Sequence, residues 1–517
     1  MRRLPPRLLT LAALLVMLAL AGCGGSGHAS GPSSASGPDP ASLTPADAAV
    51  YGEALVRPSG AAQRGIVAAA RKVSRLADPF GALRKAIDKA NAGDGEVATY
   101  AQDIEPWLGA RIGVFVLLPA SAHSEPDVGL VAAARDRTAL RHEFDRMRSD
   151  GDLKPGGTYR GVVYGRDKHD GSPTAVVGDF LVAGTTLRAL QAAVDTSKGT
   201  SLADSSRYRD ALGALPADRI ALLYADPQAI APALHAMRGL DPNVERILSS
   251  LHLTDGPPVT LALTAHADRI ALELVAGSNV IPHSDSSTGA VSLHDVPGDA
   301  WLALATPPLG PLIKQVLAQA GVHDRAAAGV RQATGLDLDA DILDPLGGLV
   351  GFARGTGPLD VGGGIALRMR DADSAQKLLT RLQAIAGAAS NGAAHALAGG
   401  GFELQVPRIP QPIVVQAHAD KLAVGYGTAS AKDLLDPHQR FDDSDAGKAA
   451  IATLGDGFTP SFVLIAPPLV ELLRALDEID VANFSPALPY LSAYRSLAVG
   501  TKRDGDRTTV RIVAALK

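Results

Sequence analysis

The feature that most limits what this chain can fold into is a long-range repeat. Asp103-Ile104-Glu105-Pro106-Trp107-Leu108-Gly109 returns 238 residues later as Asp341-Ile342-Leu343-Asp344-Pro345-Leu346-Gly347. Pro45-Ala46-Asp47-Ala48-Ala49-Val50 is matched by Pro297-Gly298-Asp299-Ala300-Trp301-Leu302, and Asp127-Val128-Gly129 by Asp360-Val361-Gly362. Ile220 to Pro227 corresponds to Ser461 to Pro468, and the turn at Asp268-Arg269 to that at Asp506-Arg507. Five correspondences in one order predict two homologous halves, residues 44–276 and 290–517, joined by a polar connector at 277–289. The offset falls from 252 to 238 after the first match, which places the extra residues in the leading helical region of the first half. The competing reading is one large irregular domain.

Within a half the local signals alternate irregularly. Phe80, Leu83, Ile87 and Ala90 share one helical face, as do Leu378, Leu379, Leu382 and Ile385 behind the candidate N-caps Asp373 and Ser374. Ala175-Val176-Val177 and Phe180-Leu181-Val182 flank Gly178-Asp179, a two-residue turn in which glycine takes positive φ at no steric cost. Similar turns stand at Asp268, Ala419-Asp420 and Gly505. Tight hairpins imply antiparallel pairing, and helices inserted between hairpins imply an α+β fold: two halves of antiparallel sheet with helices packed against them. Hydrophobic residues at 46% suffice for a core, while only 4% aromatics make that core one of Ala, Leu, Val and Ile.

The first residues read as an address. Arg2, Arg3 and Arg7 precede an apolar run from Leu8 to Leu20, too short for a span of about 20 residues, so Met1 to Gly22 is expected to be a signal peptide. The run ends in Leu20-Ala21-Gly22-Cys23, which resembles the lipobox of bacterial lipoproteins. That resemblance implies a diacylglycerol on the Cys23 thiol, cleavage before Cys23 and acylation of the new amino terminus. Cys23 is the sole cysteine, which excludes a disulfide framework and any cysteine-built metal cluster. Cleavage would remove three arginines and no acid, leaving the mature chain more acidic than the formal −5 of the whole. Such a body is repelled by anionic lipid, so the lipid anchor rather than surface charge would hold it at the membrane. The same balance gives no reason to expect a nucleic acid as partner. Residues 24–43, rich in Gly, Ser, Ala and Pro, read as a flexible linker behind the lipidated Cys23.

No catalytic set is legible. The chain lacks a G-x-S-x-G elbow, a phosphate-binding Walker loop and H-E-x-x-H. Ser374-Ala375-Gln376-Lys377 spells S-x-x-K, but its partner motifs S-D-N and K-T-G are missing, so a helix-capping role is expected for Ser374. Asp337, Asp339 and Asp341 alternate like the start of a calcium loop; Ile342 and Gly348 occupy the positions that need Gly and a bidentate Glu, which leaves a polar turn. No metal site and no cofactor is expected. Trp107 is the one candidate for a ligand-stacking wall, against core packing as the alternative; the repeat puts Pro345 in its place.

Leu43 to about Ala276 resembles an uncharacterised family of actinobacterial extracytoplasmic proteins, domain of unknown function three-three-five-two. The residues that carry the likeness are Pro45-Ala46-Asp47 with Tyr51, Asp103 to Gly109, Val177 to Gly184, Ser201 to Ser205 with Tyr208, and Asp226-Pro227. The family has no assigned activity, so the resemblance implies an exterior, membrane-tethered domain and supplies no catalytic residues. The expected function is a non-enzymatic binding or scaffold module held to membrane lipid through Cys23, with an envelope protein as a possible partner. The alternatives are a carrier of a lipid or other apolar envelope ligand in the seam between the halves, and an enzyme whose residues form no linear motif.

Overall fold

The computed structural model describes residues 37–93, 99–119, 125–236, 256–278, 289–319, 321–389, 393–407 and 409–517. Cys23, the expected lipobox residues Leu20, Ala21 and Gly22, and most of the connector lie outside these residues.

Among the described residues, ten strands come from the first half: β1 (Val50–Leu55), β2 (Leu108–Leu117), β3 (Asp127–Ala134), β4 (Leu153–Tyr159), β5 (Val162–Asp167), β6 (Pro173–Val177), β7 (Phe180–Gly184), β8 (Ala221–Ala225), β9 (Val259–Ala265) and β10 (Arg269–Gly277). Ten follow in the second: β11 (Leu302–Ala305), β12 (Leu346–Arg354), β13 (Gly362–Met369), β14 (Ala394–Ala396), β15 (Phe402–Leu404), β16 (Ile413–His418), β17 (Lys421–Tyr426), β18 (Thr459–Ile465), β19 (Tyr494–Asp504) and β20 (Arg507–Leu516). Hydrogen-bonded neighbours in the first half run β4-β5-β6-β7-β3-β2-β1-β8-β9-β10. In the second they run β14-β15-β16-β17-β13-β12-β11-β18-β19-β20. Each order becomes the other when ten is added to every strand number. β10 then pairs with β20 from Arg269↔Ala515 to Gly277↔Arg507, so the two runs form one continuous sheet in which every pairing is antiparallel. The fold is α+β.

The local reasons are those of short turns and alternating faces. Val177 pairs with Phe180, leaving Gly178 (φ 60°) and Asp179 as the turn. Successive residues along a strand point to opposite faces, and both faces are covered. On one, Phe115, Val131, Ala133 and Val182 pack with Leu190 and Ala193 of the helix Leu187–Thr196. On the other, Leu130, Ala132 and Leu181 pack with Trp107 and with Leu140 of the helix Arg137–Ser149. The second half repeats this: Val350, Phe352 and Val463 lie with Leu434 and Ala450 from the helices Thr428–Leu435 and Asp445–Ala452. Val415 and Leu422 face the opposite way, onto Leu379 of the helix Ala372–Ala389. Burial of a Leu of this kind contributes about 1.5–3 kcal/mol each, so the helices are held mainly by these faces. Between β1 and β2 the first half carries helices of 14 and 15 residues, against 11 and 12 between β11 and β12.

Three expectations need correction. The end of the range expected to be linker, 24–43, is folded: Asp39 caps a 3-10 turn, Pro40–Leu43, whose Ala41 (0% exposed) and Leu43 (5%) sit in the core. Composition hid this because Pro and Ala at the end of a Gly/Ser-rich run look like more of the same. Ile385 is exposed; Leu379 is buried, and Leu378, Leu382 and Ala386 are the half-buried residues packed beside it. Asp371, not Asp373 or Ser374, accepts the Ser374 N–H (2.7 Å) at the start of the same helix.

Both outer strands are poor templates for further pairing. β4 carries Lys154 and Pro155 on its exposed backbone and a register shift between Pro155 and Gly157. β14 is three residues long. Short strands, proline, lysine and bulges are the usual devices that blunt a sheet edge.

Candidate functional site

The most chemically loaded cluster grows from two central strands of the first half. Tyr51 and Glu53 lie two apart on β1, and Arg111, Gly113 and Phe115 lie two apart on β2, so each set points to one side of the sheet. The register pairs Glu53 with Gly113. Gly113 has no room for a side chain: a Cβ there would come within 2.8 Å of Pro40 Cβ and 2.9 Å of the Tyr51 ring. The N-terminal turn at Pro40 therefore rests on β2 beside Glu53.

The Tyr51 hydroxyl donates to Glu53 Oε2 at 2.8 Å, and Arg111 Nη1 stands 3.4 Å from Glu53 Oε1. Burial pushes the Glu53 carboxyl above its ordinary range; the charge of Asp39 adds to the rise, and Arg111 opposes it. Arg219, just before β8, gives Nη1 to the Pro216 carbonyl at 3.1 Å. Glu53, Arg111 and Arg219 line a cleft of about 180 Å³, closed by Leu55, Ile220 and Leu222. Arg111 Nε is buried without a hydrogen-bond partner.

Behind the cleft stands a column of buried tyrosines. Tyr51 and Tyr208 meet edge to face at 5.9 Å, and Tyr208 and Tyr224 at 5.1 Å. Burial drives all three phenols above their ordinary range, so they act as neutral groups. Asp226 holds the far end: it accepts from the Tyr224 hydroxyl (3.2 Å) and takes both Nε (3.0 Å) and Nη2 (3.0 Å) of Arg207.

None of the polar cleft recurs in the second half, where the corresponding offsets hold Ala305, Leu349 and Pro460. The cluster was missed in the sequence because its members are 58 and 108 residues apart and form no motif. A signal existed: Glu53 follows Tyr51 by two, and Arg111 precedes Phe115 by four, which puts charges on core-facing positions of apolar strands.

The residues singled out from sequence lie elsewhere. Trp107 is 6% exposed, packed with Leu108, Ile112 and Leu140, and gives its indole N–H to the Asp103 carbonyl (2.7 Å). Trp301 likewise donates to Gly355 (2.9 Å). Asp337 accepts from the N–H groups of Asp339 (3.1 Å) and Ala340 (3.0 Å), while Asp341 accepts from that of Asp337 (2.8 Å), which makes the alternating acids a self-capped turn. On the surface of the second half, His294 Nδ1 lies 3.0 Å from Asp442 Oδ1. Cys23, expected from its sequence context to be lipidated, is outside the described residues.

The seam between the halves holds a second buried charge pair. Arg511 Nε donates to Glu273 Oε1 at 3.0 Å, Nη1 donates to the Leu454 carbonyl, and the guanidinium lies 4.1 Å from the Phe458 ring centre.

A family model described as "Protein of unknown function (DUF3352)" matches residues 9–516. It thus spans both halves and not the first alone. No curated protein matches the chain. Among solved structures the chain is similar to TP0453 in several crystal forms. Form III is 12% identical over 46% of this chain and 80% of that one, with a TM-score of 0.25. Form I is 11% identical over 48% and 81%, at 0.24, and form IV 14% identical over 49% and 85%, at 0.24. Likenesses at those scores carry no conclusion about fold or activity.

Proposed function

The chain belongs to the DUF3352 family of proteins of unknown function, and we propose that it is an extracytoplasmic lipoprotein, anchored through Cys23, whose body is a non-enzymatic binding or scaffold module. The observation that carries this reading is the spacing between Cys23 and the fold. The lone cysteine closes Leu20-Ala21-Gly22-Cys23, and the first capped turn begins at Asp39 after a stretch dominated by Gly, Ser, Ala and Pro. A Gly/Ser-rich chain of 15 residues would reach roughly 20 Å, enough to hold the body near a bilayer without laying it on the surface. Two acyl chains or more are needed for a stable hold, which the lipobox chemistry would supply.

A continuous antiparallel sheet suits a module that presents surfaces. The seam, where the alternative reading put an apolar cargo, is occupied by the β10–β20 ladder and the Glu273–Arg511 pair, which favours a binding module over a carrier. Metabolic labelling with a clickable palmitate analogue and membrane fractionation test the anchor. The wild-type chain should carry label and sediment with membranes, and Cys23→Ser should lose the label and remain uncleaved. A Cys23→Ser chain that is still labelled and membrane-bound overturns the reading.

A further inference from the structure

We propose that the Glu53–Arg111–Arg219 cleft is a binding site for one phosphate-type oxyanion, held between the two guanidinium groups. This deepens the binding-module reading and rests on it, but not on acylation of Cys23.

Four observations converge. Arg111 Nε is a buried donor without a partner, a condition that native interiors rarely tolerate without a water, ion or ligand. Its neighbour does not satisfy the guanidinium: Arg111 Nη1 is 3.4 Å from Glu53 Oε1, well beyond the roughly 2.7–2.9 Å of a charge-assisted hydrogen bond. The planar fork of arginine matches two oxygens of a phosphate, and a second guanidinium at Arg219 lines the same space. The volume also selects. About 180 Å³ falls below the 300 Å³ or so at which small-molecule pockets begin, so the cleft fits a charged head and not a whole organic ligand.

Position and asymmetry add to this. The cleft lies beside the Pro40 turn, where the chain departs toward Cys23. The second half builds the same strand order without these charges, so the sheet does not require them. Ionised Glu53 competes with the anion for Arg111; protonated Glu53, favoured by burial, can instead donate to it. The same oxyanion chemistry is offered by a phospholipid head group and by a free phosphate ester.

The test titrates inorganic phosphate into the purified full-length Cys23→Ser chain by calorimetry. Sedimentation with phosphatidylglycerol vesicles, against phosphatidylcholine, runs in parallel. Phosphate should bind with a saturable heat. Arg219→Gln should weaken it about tenfold or more, and Arg219→Lys by less. At about pH 8, where Glu53 is ionised, Glu53→Gln should tighten it severalfold, a gain that loss of folding cannot mimic. Capture by phosphatidylglycerol vesicles that Arg219→Gln abolishes identifies a head group as the source; phosphate heat without capture identifies a free ester. The proposal is overturned if neither probe binds, or if binding is unchanged in both Arg219→Gln and Glu53→Gln. Either failure leaves the palmitate labelling of Cys23 untouched.

Discussion

Glu273 and Arg511 face each other at the midpoint of the nine-residue ladder that joins the two halves, and they occupy the same place in their own halves, 238 positions apart. The pair therefore stands on the approximate twofold axis of the strand order. Two identical units joined this way would bring like residues together at that point, Glu to Glu or Arg to Arg, and like charges directly opposite destabilise a sheet. In a single chain the two positions differ, and the axis carries an ion pair.

Removing one partner of that pair should be costly. Glu273 is 5% exposed, and a buried pair broken on one side typically costs about 3–5 kcal/mol. Arg511→Met should fall at the lower end, near 3 kcal/mol, because Glu273 can take up a proton and Arg511 is itself partly exposed. The doubly apolar Glu273→Leu with Arg511→Met should recover most of the loss, and thermal melts of the three chains would decide. Equal damage in single and double variants would place the effect in the lost Leu454 and Phe458 contacts instead.

The pH dependence has a defined sign. Burial raises the carboxyls of both Glu53 and Glu273. A carboxyl raised in the folded state binds its proton more tightly there than in the unfolded chain, so its contribution is fully present below the unfolded value and is lost as pH rises through the folded one. Glu53→Gln, which mimics the protonated acid, should match the wild type in melting temperature near pH 4. It should exceed the wild type at pH 8 or so. A deficit of the same size at both pH values would show that Glu53 is needed ionised. Asp371 runs the other way: accepting from Ser374 and Arg370 lowers it to about 2, so its support for the helix start is lost only as pH falls from the ordinary carboxylate range toward that value.

Gly129 is required by close approach. It pairs with Phe115 across β2 and β3, and a Cβ at Gly129 would lie 2.1 Å from the Phe115 ring. Phe115 is fully buried and cannot swing aside. Gly129→Ala should destabilise by about 1–3 kcal/mol, and Gly129→Ala with Phe115→Leu should restore part of it. No change in the denaturant midpoint of the single variant would contradict the packing described.

Trp107 separates packing from binding. Trp107→Ala should cost about 3–5 kcal/mol through the cavity it leaves, and Trp107→Phe much less, since only the bond to Asp103 and part of the ring are lost. Both tryptophans are buried, so the native emission should be blue-shifted and should move to the red on unfolding. A Trp107→Ala chain as stable as the wild type would return this residue to the list of ligand contacts.

Much of the architecture could be read from local chemistry. The Gly178-Asp179 and Gly505-Asp506 hairpins are set by turn residues a few positions from the strands they join, and the α+β class follows from them. The pairing of β10 with β20 could not be read, because nothing in either strand names a partner more than 200 residues away. The Glu53 cleft was illegible for the same reason: its charges converge through β1, β2 and the approach to β8, and only their core-facing parity hinted at them.

The outer strands have a consequence for crowding. Chains confined to a two-dimensional surface reach local concentrations at which any open row of N–H and C=O groups becomes a seed for fibre growth. Here one margin is interrupted by Pro155 and the bulge that follows it, and the other lasts only from Ala394 to Ala396. A plate built this way can be packed densely and still end where its own polypeptide ends.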